Sequence, residues 1–226
     1  GDVELIDVPG AYSLAAFSPD EMVSADVLQG RFENTPKPSA ILIVIDAANL
    51  RRNLFMTTQI LELGIPVVIA LNMMDLAERM GKGVDLEKLS ELLEIPVVDI
   101  NARKGEGIAQ LKKVLSDNIP VRTRAFLDIN TLVGPEVSKI INEGDVPSYI
   151  RLLQLIAEEE LQEDVSESIQ IKETTLRYGK INRILKEANL IVEQKGTKIR
   201  TDKIDKILTH KVWGYLIFFV ILLTIF

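Results

Sequence analysis

Asn72 and Asp75 are the residues of this chain whose types and spacing most directly suggest chemistry. An aspartate carboxylate accepts two hydrogen bonds side by side, which suits the adjacent N–H and amino donors of guanine and does not suit adenine. Met73, between them, offers a polarisable stem that could cover one face of a base. The same residue types also suit a strand-to-helix turn. Two further sets sit in comparable places. Asp7, Val8, Pro9 and Gly10 place a carboxylate able to hold magnesium through its water shell three residues before a glycine, whose N–H can approach a phosphate oxygen unobstructed. Asn101, Ala102 and Arg103 open a small-residue loop, continuing through Gly105 and Gly107, whose N–H groups could meet a base carbonyl. Each set alone is weak: the first also reads as a turn, the last as a glycine-rich lead-in to a helix.

The elements that must position these residues are short apolar strands. Strand-like runs occur at residues 3–6, 41–45, 65–71 and 95–100; the run at 65–71 is continuous and β-branched, the pattern of a parallel strand covered on both faces, and each functional set follows one of the runs. Ligands of open α/β sheets bind outside the carboxyl ends of strands, so all three sets would face one crevice. Helical periodicity at residues 49–63, 85–93 (behind an Asp85 cap) and 106–115 separates the strands, which predicts βαβ units and a mostly parallel sheet. After Ile119 and Pro120 the strand pattern stops. Two helices follow in the expectation, one after Ser148 as a cap and one over residues 172–188, with an acidic cluster at Glu158, Glu159, Glu160, Glu163 and Asp164 read as a solvated face.

Composition narrows the class. A formal net charge of −7 argues against a nucleic-acid partner, which would need a basic face. With no cysteine and one histidine, disulfides, thiol nucleophiles and histidine-rich metal clusters are excluded. His210 reads as an interfacial anchor more readily than as an iron ligand, and Met73 with Met74 as packing rather than soft-metal binding. Lys195, Lys198, Arg200, Lys203, Lys206 and Lys211 precede an uncharged run at residues 212–226 that carries Trp213 and Tyr215. That run is shorter than the roughly 20 residues a span needs. A buried helix is one reading; the start of a truncated transmembrane helix, with residues 1–211 on the cytoplasmic side of the cell's inner membrane, is the preferred one. Both ends of the chain look cut, as expected of an internal piece of a longer protein.

Order and spacing join the sets: DxxG, then NxxD about 60 residues on, then the small-residue loop about 25 further, each directly after a strand. This is the third, fourth and fifth motif series of a GTPase. With the flanking stretches Asp7 to Leu14, Asp46-Ala47-Ala48-Asn49-Leu50, Leu176-Arg177-Tyr178-Gly179 and residues 201–211, the chain resembles the ferrous iron transport protein B family (FeoB) along nearly its whole length. The resemblance implies a partial GTPase domain at residues 1–118, a helical regulatory domain at 119–200, and a basic juxtamembrane segment with the start of a transmembrane helix at 201–226. It implies GTP or GDP with Mg²⁺ as ligands and Fe²⁺ as the ion carried by the whole protein. As partners it implies the lipid bilayer, a downstream membrane domain and a small cytoplasmic accessory protein, and it leaves room for an oligomer. Asn72, Met73, Asp75, Asn101, Ala102 and Arg103 would bind guanine. Asp7, Val8, Pro9 and Gly10 would serve the phosphate side, with Asp7 toward Mg²⁺.

Departures matter as much. Met73 stands where most GTPases carry lysine, Asn101 where serine or threonine is expected, and Ala11 where a glutamine would orient the attacking water. The 226 residues contain no Gly-x-x-x-x-Gly-Lys-Ser/Thr phosphate loop, because Gly81-Lys82 and Gly179-Lys180 are followed by Gly83 and Ile181. No catalytic residue is identified. In the family the phosphate-loop strand lies between the strands expected at 3–6 and 41–45; without it both lose a neighbour, and a rearranged sheet is expected. This polypeptide alone should therefore bind guanine nucleotides poorly and not hydrolyse GTP. Two other classes stay open: a non-catalytic membrane-anchored binding module, and a soluble GTPase of the ribosome-assembly type.

Overall fold

The computed structural model describes residues 4–15, 19–32 and 34–188, with 214, 215, 219, 223 and 224. Three strands form a parallel sheet in the order β1 (Ile41–Asp46), β2 (Val67–Asn72), β3 (Val97–Asp99). Eight helices accompany them among the described residues: α1 (Pro19–Gln29), α2 (Leu50–Ile60), α3 (Met74–Arg79), α4 (Leu86–Leu93), α5 (Ile108–Ser116), α6 (Pro135–Ile141), α7 (Ser148–Ala157) and α8 (Glu163–Glu187). Short 3₁₀ turns extend α2 at both ends, over Ala47–Asn49 and Leu61–Leu63.

The period of two along a strand decides what each face meets. Val67, Ile69 and Leu71 of β2 point into the larger core with α2, α4, α7 and α8, while Val68 and Ala70 point into a smaller one with Val98, Ile100 and Leu111 of α5. All five β2 residues from Val67 to Leu71 are essentially inaccessible, which explains why the central strand is apolar without alternation. Asp85 caps α4 as expected, its Oδ1 accepting from the Lys88 N–H at 2.9 Å. The helices beyond residue 119 share the larger core with the sheet: Leu152, Leu155, Ile181 and Leu185 belong to the same cluster as Leu54, Leu63 and Ile69.

Three expectations change. Residues 4–10 form no strand; Leu5 is 81% exposed and Ile6 40%, and no described strand pairs with the outer edge of β1, where Val44 lies 60% exposed. An apolar run becomes a strand only when a neighbour takes its backbone groups, and among the described residues none does. Ser148 is not the cap of α7: Pro147 holds that position and the Ser148 hydroxyl donates to Asn142 Oδ1 at 2.8 Å. The second late helix starts nine residues earlier than residue 172, at Glu163, so Glu163 and Asp164 occupy its first turn, where the helix dipole favours acidic side chains. Residues 212–226 lie outside the described set except for the five named; among the described residues no helix is long and apolar enough to cross a membrane.

Candidate functional site

The carboxyl ends of the three strands form one rim. Asp46 ends β1 and is in register with Asn72, the last residue of β2, while Leu71 is in register with Asp99 of β3. The Ile100 N–H donates to Leu71 O at 2.9 Å, which carries the chain after β3 alongside the end of β2. Parallel pairing therefore brings Asn72 to Asp75 and Asn101 to Arg103 together, as their spacing after strands predicts.

One hydrogen bond joins the two sets directly: the Ala102 N–H donates to Asn72 Oδ1 at 3.4 Å. Asn72 thus has a positioning duty besides any contact to a base, and its amide nitrogen carries no protein hydrogen bond among the described residues. Asn101 organises its own loop. Its main-chain oxygen accepts from the Lys104 and Gly105 N–H groups, its side-chain Oδ1 accepts from the Lys104 N–H at 3.1 Å, and its N–H donates to Glu106 O. Asparagine in place of serine or threonine therefore still closes the turn. Gly107 locks the loop to the sheet: its φ is +77°, and a Cβ there would stand 2.1 Å from Asp99 O. Only glycine meets both conditions.

Met73 adopts the left-handed conformation (φ 62°) that turns the chain from β2 into α3, and the residue is 47% exposed. Asp75 is exposed in the first turn of α3 and pairs with Arg79 one turn on, Nη2 to Oδ2 at 2.9 Å. A base that used the Asp75 carboxylate would displace this guanidinium from Oδ2. Lys82, excluded from a phosphate loop by Gly83, ties the end of α3 to the turn after β1 instead, its Nζ donating to Ala48 O at 2.6 Å. In that turn Asp46 accepts from the Ala48 N–H and from Asn49 Nδ2, both at 2.7 Å. At the end of β3, partial burial first, then Glu78 and Glu106, raises the Asp99 carboxyl above the ordinary aspartate value.

The phosphate-side set is differently placed. Asp7, Pro9 and Gly10 are exposed and Val8 half-buried, on a strap that is not part of the sheet. Ser24 of α1 fixes it by donating to Pro9 O at 2.6 Å. No cluster of three or more candidate metal-ligating side chains occurs among the described residues. A lone exposed carboxylate nevertheless fits magnesium, which keeps most of its waters and is bound by one or two carboxylates together with substrate phosphates. The strap then runs inward: the Leu14 N–H and the Ser13 hydroxyl both donate to Gln59 Oε1, at 2.8 and 3.1 Å.

A buried polar cluster escapes the sequence reading. Glu173, Arg177 and Glu62 are 5%, 0% and 8% exposed, a burial that their charged side chains do not announce. The available signal is the Glu173 and Arg177 spacing of four, which puts them on one helical row with Ile169, Ile181 and Ile184. A cavity of about 270 Å³ lies beside this cluster, lined by Glu62, Arg122, Leu127 and Tyr149 among others, and contains none of the guanine-side or phosphate-side residues.

The family described as "Ferrous iron transport protein B" matches residues 1–115. The chain is 33% identical to the "Fe(2+) transport protein A/Fe(2+) transporter FeoB fusion protein" of Porphyromonas gingivalis, over 99% of this chain and 31% of the relative. It is also 33% identical to the "Fe(2+) transporter FeoB" of Legionella pneumophila, over 99% of this chain and 32% of the relative. The chain thus spans about a third of the length of the curated relatives it matches. Among solved structures, the cytosolic domain of L. pneumophila FeoB superposes with a TM-score of 0.59 at 33% identity, covering 80% of this chain and 75% of that one. The mGMPPNP-bound NFeoB of S. thermophilus superposes with a TM-score of 0.61 at 30% identity, covering 83% and 80%. The GDP-bound cytosolic domain of the T. maritima FeoB iron transporter gives 0.66 at 25%, covering 80% and 78%.

Proposed function

Because this chain belongs to the ferrous iron transport protein B family, we propose that it is the guanine-reading cytosolic part of a membrane transporter for ferrous iron, and that nucleotide binding and hydrolysis in the whole protein are coupled to iron uptake. The observation that carries the reading is the hydrogen bond from the Ala102 N–H to Asn72 Oδ1, which unites the two base-side motifs at the strand ends. Solved relatives with GDP and with mGMPPNP bound support guanine nucleotide as the ligand.

In this reading the guanine N1–H and 2-amino group donate to the Asp75 carboxylate, displacing Arg79. The Asn72 amide nitrogen donates to the base, the Arg103 N–H meets its carbonyl oxygen while the Ala102 N–H holds Asn72 in place, and the exposed Met73 stem covers a face. Asp7 would hold a water of a bound magnesium and the Gly10 N–H would face the terminal phosphate. Magnesium supplies charge neutralisation on the phosphates. The 226 residues hold the base-reading half of such a site; the phosphate-gripping tract is not among them.

The test uses the natural full-length protein in proteoliposomes, with GTP hydrolysis and Fe²⁺ influx measured for wild type and for Asp75→Ala. Guanine-specific hydrolysis and influx that fall together in the variant are expected. Influx indifferent to guanine nucleotide, or unchanged by Asp75→Ala, would overturn the proposal.

A further inference from the structure

Beyond Ile119 and Pro120 the chain crosses from the sheet to the later helices through residues 121–128, which form neither helix nor strand. Such a stretch must find partners for its backbone groups elsewhere. The Phe126 and Leu127 N–H groups donate to Glu62, at 3.3 and 2.8 Å, and Phe126 O accepts from Lys180 of α8 at 2.6 Å. Asp128 then caps the 3₁₀ turn Ile129–Thr131 by accepting from the Asn130 N–H at 3.2 Å. This stretch, the turn Leu61–Leu63 after α2 and the start of α7 wall the cavity of about 270 Å³, which therefore sits at the junction between the sheet side and the later helices.

The acidic groups in the wall are already committed. Both Glu62 oxygens accept from main-chain N–H groups, with Arg177 Nη1 at 3.8 Å from Oε1, and Asp128 Oδ1 holds its own turn. Arg122, which also lines the cavity, is not committed in this way. Its side chain is 10% exposed, yet Nε and Nη1 are buried and carry no hydrogen bond within the protein. The acidic group paired with it, Glu94, stands 3.7 Å from Nε, beyond hydrogen-bond reach, and the Phe126 ring lies 5.4 Å away, which satisfies no N–H. Arg177 differs, because Glu173 and Glu62 both stand within ion-pair distance of it. Burial, opposed by Glu94 and then Glu62, lowers the Arg122 guanidinium from its ordinary value. A buried cation without hydrogen bonds is costly, and native folds keep few of them.

We propose that this cavity binds a small organic monocarboxylate, with Arg122 as its anchor. A guanidinium fork matches a carboxylate in shape and charge, and with little water around it the attraction is stronger than at an open surface. Leu127, Ile129 and Tyr149 share the wall, so a ligand with a short carbon stem covers apolar surface that a bare inorganic anion leaves open. The volume lies below the roughly 300–1,000 Å³ of pockets that take drug-sized ligands, which limits the stem to a few carbons. Glu62 and Asp128 set the charge limit, since a ligand with a second acidic group would face carboxylates already in the wall. The proposal does not depend on the guanine reading, because no residue of that rim lines the cavity.

The probe is butanoate, titrated into the natural full-length protein at constant ionic strength so that screening does not change. Amide hydrogen exchange read by mass spectrometry locates the binding, because a bound ligand slows local opening. Exchange should slow at residues 122–130 and 147–149 and saturate in the millimolar range. Butanamide, with the same stem and no charge, should protect nothing, and inorganic phosphate should bind several-fold more weakly than butanoate. Arg122→Met keeps an apolar stem and should lose roughly 10–100-fold in butanoate affinity, the size of a charge-assisted hydrogen bond. Arg122→Lys keeps the charge without the fork and should bind several-fold more weakly than wild type; it serves as the second variant if Arg122→Met does not fold. No protection by butanoate, equal protection by butanamide, or tighter binding of phosphate overturns the assignment. So does wild-type affinity in either variant, or protection confined to residues 72–75 and 101–103.

Discussion

Gly107→Ala tests how the base-side loop is anchored. The residue sits at φ +77°, where an alanine costs about 1–2 kcal/mol relative to its ordinary conformations. Its new methyl carbon would stand 2.1 Å from Asp99 O and 3.1 Å from Ile100 Cα, both backbone atoms that cannot swing aside. Relief requires the end of β3 or the start of α5 to move by more than an ångström, a form of overpacking that typically costs about 1–3 kcal/mol. The sum is about 2–5 kcal/mol, which for a domain of this size lowers the melting temperature by roughly 5–15 °C. Because the same loop carries Ala102 and Arg103, the Ala102 to Asn72 hydrogen bond should lengthen or break. Calorimetry for the melting temperature and amide exchange at Ala102 for the loop are the assays. A variant that melts within about 2 °C of the parent, with Ala102 exchange unchanged, would refute the packing argument.

Glu62→Gln should alter the pH dependence of stability. Burial, outweighing the Leu127 and Phe126 N–H groups and the two arginines, raises the Glu62 carboxyl above the ordinary glutamate value. The folded state therefore binds more protons than the unfolded state just above about pH 4.3, and its contribution to stability falls as pH rises through that window. The glutamine variant should lack this decline in urea melts taken across it, and should be less stable by about 1–3 kcal/mol because its amide nitrogen cannot accept from Phe126 or Leu127. Arg79→Ala should change stability by less than about 0.5 kcal/mol, since the pair with Asp75 is exposed. It should strengthen guanine binding by up to about fivefold in a fluorescence titration of the full-length protein, because no guanidinium has to be displaced. Asp75→Asn replaces one acceptor by a donor, so competition assays should show preference moving from guanine to xanthine, whose 2-carbonyl needs a donor.

Which parts of the site can be read from residues alone follows from what fixes each part. Residues 65–71 predict β2 because a strand buried on both faces has to be apolar throughout, and the order of DxxG, NxxD and the Asn101 loop follows from motifs set at successive strand ends. Residues 3–6 also read as a strand and form none at their described positions, since pairing belongs to the neighbour as much as to the run. The helix α1 is hard to read because it buries Ser24 and Ala25 beside only Val27 and Leu28, a short stripe of small residues. The burial of Glu173 and Arg177 is not legible in the sequence because charge usually signals solvent; their partners across the junction, Gln59 and Glu62, lie far away in sequence. The spacing of Asn72 and Asp75 identifies a candidate guanine reader, whereas the Arg79 side chain on Asp75 becomes visible only once α3 is formed.

The central claim, that Asn72, Asp75 and the Asn101 loop form a guanine-reading rim, is tested most directly with nucleosides, which need no phosphate loop. Amide resonances of this chain are followed during titration with guanosine and, separately, with adenosine. The account predicts shifts at Asn72, Met73, Asp75, Ala102 and Arg103 with guanosine, absent with adenosine and lost in Asp75→Ala. Equal shifts with both nucleosides, or guanosine shifts that spare these five residues, would contradict it.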